Sequence, residues 1–446
     1  MIKSFRGGIH PNGNKSLTAG KPIETGLLPS KVVIPVSQHI GAPCTPVVQK
    51  GDYVKKGQVI ASSTAFVSSP AHASISGMVK DVALYPHPVF GKCLSIFIEN
   101  DGKDEWTSGI PFVRDWEKLN DSEIKDIIKE AGIVGMGGAT FPTHVKLSPP
   151  KGKKIDLFIL NAAECEPFLT ADDRMMIEYS DRIVIGVKIV MKVLGVQKAY
   201  VGIEDNKPGA VIAMKKAFEA EVGVEVKAIP TKYPQGAEKM LIKVIAGREV
   251  PSGSLPMDVG VVVQNVGTVV AICDAVVNGI PLIQRVTTIS GSAIKEPKNL
   301  LLRIGTTFED AIANCGGFVE QPAKIIMGGP MMGFAQANLG VSIIKGVSGI
   351  LGLSKKDINK GTESPCIRCG KCLTVCPCGL NPSMLSILGE RDMYEEAKLE
   401  QNLFDCAECG SCVYVCPAKR NIVQYIRYSK MKNNADAAKK REALAK

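Results

Sequence analysis

The sequence predicts a multidomain protein of the α/β + β class that ends in a helical, cysteine-rich module. Three observations carry this reading. Short β-branched runs separated by Gly-Asp and Lys-Gly turns fill residues 31–100, strand-like and helix-like patterns alternate from Asp121, and nine of the 14 cysteines fall between Cys366 and Cys416. At roughly 100–200 residues per domain, 446 residues make about two to four domains. With 45% hydrophobic and 22% charged residues, the chain has apolar surface for several cores, which excludes general disorder. Aromatics are only 5%, which weakens any reading that needs base-stacking platforms. A disulfide framework would belong to a short secreted chain, and the start MIKSFRGGIHPNGN has no apolar stretch of signal-peptide length. The most apolar candidate for a membrane span, Val259 to Ile283, is interrupted by Gln264, Asn265, Asp274, Asn278 and Pro281. The sequence therefore predicts no transmembrane helix and a reducing, cytosolic setting in which clustered thiols are available for metal.

The elements follow in order. Residues 1–30 form a polar, Gly/Pro-rich lead-in. Residues 31–100 hold KVVIPV, TPVVQKGDYVKKGQVIA, SISGMVKDV and CLSIFIEN, the pattern of a small all-β domain. Residues 101–118 read as a linker. DSEIKDIIKEAGIVG is an amphipathic helix that runs into a glycine-rich loop. Strands IDLFILNA, KAYVGIE and VEVKAIP then alternate with helices DRIVIGVKIVMKVLGV and PGAVIAMKKAFEAEVG, which implies a mostly parallel sheet. QGAEKMLIKVIAGRE is a further helix, and VGVVVQNVGTVVAICDAVVNG a buried strand followed by a helix. RVTTISGSAIKEP and NLLLRIGTTFEDAIANCGGF suggest a compact β unit with one helix, and VSIIKGVSGILGL a strand pair. The module 360–425 follows, and 426–446 is a basic, Ala-rich helical tail. The formal net charge is +10, of which +7 falls between Pro417 and Lys446. Such a tail is a solvated end, a docking arm for a partner or an anionic lipid surface, or a nucleic-acid arm.

CIRCGKCLTVCP and CAECGSCVYVCP are one pattern repeated 40 residues apart. C-x2-C-x2-C-x3-C-P places three thiolates around one cubane and sends the fourth to the neighbouring cluster. Cluster A is thus expected on Cys366, Cys369, Cys372 and Cys416, and cluster B on Cys406, Cys409, Cys412 and Cys376. Thiolates suit iron–sulfur clusters or zinc, but zinc would favour His, and none lies in this module. Two 4Fe–4S clusters are therefore expected. Cys378 is either an extra small thiol or a ligand, and the five scattered cysteines read as core residues.

In GIVGMGGATFPTHVK the close-set glycines Gly132, Gly135, Gly137 and Gly138 make either a structural turn or a backbone cradle for an anionic group. Asn161, Glu164 and Glu166 follow a buried strand, where open α/β sheets bind ligands. These segments resemble the flavin- and NADH-binding subunit of respiratory complex I, whose pattern is G-x-G-G-A-G-F-P-T followed by N-A-D-E-S-E-P. This chain has GMGGATFPT and NAAECEP, then YPQGAEKMLIKVIAGREVP and QNVGT, in the same order over about 120–270. The resemblance implies a Rossmann-like domain binding FMN without a covalent bond, with its phosphate and ribityl chain near Gly135, Gly137, Gly138, Lys146, Asn161 and Asn265. Phe141, Glu164, Glu166, Tyr233, Gly236 and Glu238 would line the flavin and nicotinamide site. Phe141 is otherwise a core aromatic, and Lys146 otherwise a solvated surface lysine. Met136, Ala163 and Ala237 depart from the family pattern, where Arg, Asp and Glu stand.

Residues 31–100 resemble the barrel-sandwich hybrid fold of biotinyl and lipoyl domains, with PAHASISG where a carrier domain has its modifiable lysine. Residues 271–350, centred on VTTISGSAIKEP and IGTTFEDAIANCGG, resemble the β-grasp soluble-ligand-binding module. Barrel-sandwich, flavin/NADH domain, β-grasp and dicluster ferredoxin domain, in that order, is similar to the C subunit of the Rnf electron-transport complexes. The opening GGIHP and the later MGGPMMG fit as well. The resemblance implies a peripheral subunit at the cytoplasmic face of a bacterial membrane. FMN there exchanges a hydride with NAD(H), and two 4Fe–4S clusters relay electrons to or from ferredoxin through partner Rnf subunits. Those partners, membrane-spanning and ferredoxin-like, move Na+ or H+. No side chain need act as a general acid, Glu164 and Glu166 would position the reactants, and no nucleic acid is expected. Two alternatives remain open: a soluble enzyme of the cobalamin reductase type, and an electron wire or scaffold with a vestigial flavin domain.

Overall fold

The structure is a computed structural model and describes residues 4–358 and 361–444. It divides into two units. One consists of Met1–Asn12, Pro230–Leu255 and Asn359–Lys446, and the other of Gly13–Ile229 and Pro256–Ile358.

The larger unit begins with the β domain. Its main sheet has strands Lys31–Pro35, Gly91–Asn100, Gly77–His87 and Tyr53–Val54 side by side, and a smaller sheet has Thr45–Pro46, Val59–Ser62 and Ala71–His72. Val32, Ile34, Ile60, Ile75, Val79, Ile96 and Ile98 fill the space they enclose and are fully buried. The lead-in does more than precede this domain. Ile23–Thr25 pairs in parallel with Lys298–Arg303 and forms the edge of a six-stranded sheet. From that edge the order continues through Gln284–Ser290, Gly349–Leu353, Lys324–Met327 and Phe334–Gln336, with helix Phe308–Ala313 capped by Thr307. Of the expected strand pair 341–353, only Gly349–Leu353 is a strand. Val341, Ile343 and Ile344 bury their side chains from irregular backbone instead.

The parallel sheet that positions the candidate site has the order Val224–Ile229, Ala199–Glu204, Leu157–Ala162, Val261–Asn265. Numbered along the chain this is 3-2-1-4, so the connections reverse direction between the first strand and the fourth. Helix Asp121–Glu130 is started by a reciprocal capping box between Asn120 and Glu123, and helix Val266–Asn278 by the Asn265 side chain. Helix Ser180–Leu194 lies against the same layer, with Ile183, Val187 and Val190 buried.

The smaller unit holds the cysteine module. Segment 230–255, read from the sequence as part of the α/β domain, belongs to this unit. Two short helices, Lys371–Thr374 and Ser411–Tyr414, occupy equivalent places in the two repeats. The duplication extends to the backbone: Arg368 and Glu408 have φ of 56° and 54°, and Gly370 and Gly410 have 74° and 77°. The spacer forms helices Pro382–Glu390 and Tyr394–Gln401, which pack on the long helix Ile422–Leu444. That helix contains most of the predicted tail, whose last two residues lie outside the described ones.

Lys345, in the larger unit, is fully buried and donates hydrogen bonds to the carbonyls of Pro70 and Gly132, each at 2.7 Å. Burial pushes its amine from 10.5 down to about 7. A lysine with a depressed folded pKa binds fewer protons in the native state. Its contribution to stability is therefore smallest below about 7 and grows as the pH rises towards 10.5. The unfolding free energy of the native protein relative to Lys345→Met is expected to increase across that interval. A difference that stays flat with pH would count against a neutral buried amine.

Candidate functional site

Asn161 is next to last in the first strand and Asn265 ends the fourth, and they stand opposite each other in the parallel register. This is the crevice at a topological switch point where open α/β sheets receive ligands. The Asn265 carboxamide is fixed from both ends. Its oxygen accepts from Gly267 N–H at 2.8 Å, and its Nδ2 donates to Asp172 at 2.6 Å. The glycine-rich loop lies against it: a Cβ on Gly137 would fall 2.7 Å from the Asn265 side chain. Only glycine allows that approach, while Gly138 faces open space. Gly135 N–H donates to Phe141 carbonyl at 2.9 Å and closes the loop, with Phe141 half-buried. Lys146 ends the short helix Thr143–Lys146 that follows.

Met136 points inward at 4% exposure; its N–H donates to Thr268 Oγ1 at 2.9 Å, and its carbonyl accepts from Arg285 at 3.4 Å. The Arg285 guanidinium also donates to the Lys345 carbonyl and is buried at 4% exposure, with burial pushing it down to about 10. A cation thus stands beneath the loop, although position 136 itself carries an apolar side chain.

The acidic segment turns out to be a braced turn. Glu164 has φ of 45°, and its carboxylate accepts from the N–H groups of Asp172 and Asp173 at 2.8 and 3.2 Å. It therefore caps helix Ala171–Glu178 from outside the helix. The Glu166 carboxylate accepts from Met331 N–H at 3.1 Å and Met332 N–H at 2.9 Å, which ties the turn to the GGPMMG loop. Two cations hold the turn's own carbonyls. Lys15 donates to Glu164 and Glu166 carbonyls at 2.9 and 3.0 Å, and Lys207 to Ala163 carbonyl at 2.7 Å. Lys207 also pairs with Glu204 at 3.3 Å, both side chains 1% exposed. Burial holds the Lys15 amine below its ordinary value, with Glu164 opposing. Burial first and the Glu164 charge second push Asp172 up to about 7 and Asp173 to about 6.

Lys15, Lys207, Asp172 and Arg285 are the residues that sequence reasoning missed. Lys15 lies in the lead-in, and no local pattern joins it to a turn some 150 residues away. Tyr233, Gly236 and Glu238 stand in the smaller unit. Tyr233 is 2% exposed and donates its hydroxyl to the Cys409 carbonyl at 2.8 Å, while Glu238 opens helix Glu238–Ala246.

In that unit Cys376, Cys406, Cys409 and Cys412 line one cavity, joined by Cys378. The first four are the set that the crosswise pattern gives to cluster B. Of the other set, Cys372 is buried, Cys416 packs against the same core, and Cys366 and Cys369 are more open. Burial raises the thiols of Cys406 and Cys412, Cys406 to about 12, and pushes Cys378 up to about 11. Uncompensated thiolates are therefore costly here, and an all-sulfur donor set around an apolar cavity fits an iron–sulfur cluster, whose iron replaces the protons. The glycine loop, the paired asparagines and the buried Arg285 likewise fit the phosphate-bearing tail of a flavin nucleotide.

Four family models match along the chain: the RnfC barrel sandwich hybrid domain over 3–103, the Nuo51 FMN-binding domain over 128–274, the SLBB domain over 286–335 and the 4Fe-4S dicluster domain over 358–433. The C subunit of the proton-translocating ferredoxin:NAD(+) oxidoreductase complex of Clostridium ljungdahlii is 70% identical, covering 98% of this chain and 95% of its own. This chain belongs to the RnfC family of ion-translocating ferredoxin:NAD oxidoreductase complexes. Within the family, the C subunit of the Na(+)-translocating complex of Acetobacterium woodii is 49% identical over 96% of each chain. The equivalent subunit of the ion-translocating oxidoreductase complex of Rhodobacter capsulatus is 44% identical over 86% of this chain and 74% of its own. A chain of an NAD+-reducing [NiFe]-hydrogenase in the air-oxidized state shares the fold, with a TM-score of 0.51 and 18% identity over 69% of this chain and 63% of that one.

Two stability measurements check the braced turn. Glu164→Ala is expected to lower the unfolding free energy by about 1–2 kcal/mol through loss of the cap, with Glu164→Gln losing less because it keeps an acceptor. Lys207→Met strands the buried Glu204 and is expected to cost about 3–5 kcal/mol in denaturant unfolding.

Proposed function

We propose that this chain is the nucleotide-handling subunit of an Rnf-type complex, exchanging electrons between NAD(H) and ferredoxin at the cytoplasmic face of the membrane. The observation that carries the reading is the presence in one chain of an FMN-binding domain and a 4Fe-4S dicluster domain. FMN held in this domain would supply hydride exchange with NAD(H) and one-electron exchange with two 4Fe–4S clusters, the chemistry that matches a two-electron donor to one-electron carriers.

The residues supply placement and electrostatics. The exposed loop of Gly135, Gly137 and Gly138 receives the phosphate, supported by Lys146 and by the Arg285 charge beneath Met136. Asn161 and Asn265 hold the ribityl chain at the strand ends. Glu164 and Glu166 fix the turn beside the reacting ring, Glu166 by gripping the loop at Met331 and Met332. Cys366, Cys369, Cys372 and Cys416 hold one cluster, and Cys376, Cys406, Cys409 and Cys412 the other. Ion passage is left to partner subunits, since among the described residues no helix is long and apolar enough to cross a membrane. The exposed basic end of the last helix, with Lys439, Lys440 and Arg441, serves as the docking arm.

Anaerobically reconstituted protein is expected to bind FMN stoichiometrically and to lose flavin absorbance when NADH is added. Glu166→Ala is expected to keep its FMN and to be reduced by NADH about tenfold more slowly, a loss of about 1.4 kcal/mol. Protein that holds both clusters yet binds no flavin and ignores NADH would favour the electron-wire reading instead.

A further inference from the structure

The N-terminal segment and the Tyr233 turn meet on the cysteine module, all within one unit. Ile9 and Tyr233 exchange both backbone hydrogen bonds, each N–H to the other's carbonyl at 2.9 Å. From this pair, one contact runs to each cysteine repeat. Gly8 N–H donates to the Val375 carbonyl at 2.9 Å, one residue before Cys376. The Tyr233 hydroxyl donates to the Cys409 carbonyl at 2.8 Å. Gly7, at φ 69°, lies so close that a Cβ would fall 2.7 Å from the Cys376 carbonyl oxygen. The pair is itself fixed: Phe5 and Ile9 are buried, and Lys232 donates to the Phe5 carbonyl at 2.7 Å.

We propose that this pair of segments is a clamp that sets the spacing of the Cys376 and Cys409 ligands, and that the Tyr233 hydroxyl raises the midpoint potential of the cluster they hold. The proposal rests on the assignment of Cys376 and Cys409 to one cluster. Those two cysteines come from different repeats, so no local turn geometry fixes their separation. The clamp grips one side of it with the backbone hydrogen bond from Gly8 to Val375 and the other with the Tyr233 hydroxyl on Cys409. Tyr233 touches the ligand's backbone rather than the cluster, so it is a positioning residue. Its O–H dipole presents a positive end to the ligand loop. A donor there stabilises the added electron of a reduced, more anionic cluster, and hydrogen bonding and burial around the ligands are levers on cluster potential. A buried tyrosine must satisfy its hydroxyl, and here the partner is the carbonyl of a ligand residue.

The test uses the full chain, reconstituted with iron and sulfide, with iron content, FMN content and an EPR-monitored redox titration as readouts. Tyr233→Phe keeps the ring and removes only the hydroxyl. It is expected to retain iron and FMN while one midpoint potential moves to a more negative value and the other stays. Gly7→Ala is expected to lose iron from that same cluster with FMN retained. Loss of one cluster alone in Tyr233→Phe would also support the clamp. Full iron with both potentials unchanged overturns it, as does loss of FMN and both clusters together, which is general misfolding. Cys376→Ser and Cys409→Ser check the assignment separately. Abolition of the same EPR signal supports it, and abolition of different signals overturns the assignment and the clamp with it.

Discussion

The larger unit depends on basic side chains, three of them buried, that hold backbone carbonyls. Lys15, Lys207, Arg285 and Lys345 each lose hydration and regain it from main-chain oxygens and, for Lys207, from Glu204. A buried ammonium is expensive unless its donors are satisfied, so each of these side chains admits few alternative arrangements. The consequence is a polar framework beneath the crevice that fixes the acidic turn, the underside of the glycine loop and the join to the β domain. The carboxylates facing the crevice inherit their orientation from it. Asp172 sits where burial and the Glu164 charge both favour its proton, so the crevice holds less negative charge than its carboxylate count suggests.

The two units solve opposite electrostatic problems. In the larger, positive charge is buried and stabilised by carbonyls. In the smaller, Cys376, Cys406, Cys409 and Cys412 line an apolar cavity, where burial favours the protonated thiol at Cys406 and Cys412 unless iron takes the proton's place. Glu408 shows how the periphery is balanced: burial opposes its charge, but Lys430 and Arg427 at 2.8 Å outweigh burial and hold its carboxyl below the usual range. Lys430 also donates to the Cys406 carbonyl at 2.7 Å, so the long C-terminal helix reaches the ligand loop directly.

Local patterns were legible in the sequence where the physics is local. Alternating β-branched runs gave the β domain, the strand–helix alternation gave the parallel sheet, and the duplicated cysteine spacing pointed to a dicluster module. Asn161 stood out because a polar residue at the end of a parallel strand is informative, whereas Asn265 was singled out only through the family resemblance. What escaped depends on distant partners. Nothing around Lys15 marks it as a brace for residues 164–169, and nothing around Ile23–Thr25 shows that its ladder partner lies near residue 300. Tyr233 illustrates the same limit, since its helix-forming neighbours gave no sign that its hydroxyl ends on a cysteine loop. The hydrogen-bond partners of the Glu164 and Glu166 carboxylates come from other elements and were invisible to periodicity.

The smaller unit is sewn from three stretches of chain, with the whole larger unit synthesised between its first and last pieces. Gly8 and Val375 are hydrogen-bonded neighbours, yet at about 5–20 residues per second a ribosome makes them roughly 20–70 s apart. Throughout that interval the nascent chain carries an early segment whose partner in the cysteine module does not yet exist. Metallation of the second repeat must therefore wait until the larger unit has been made, and iron delivery to this protein is a late event in its biogenesis.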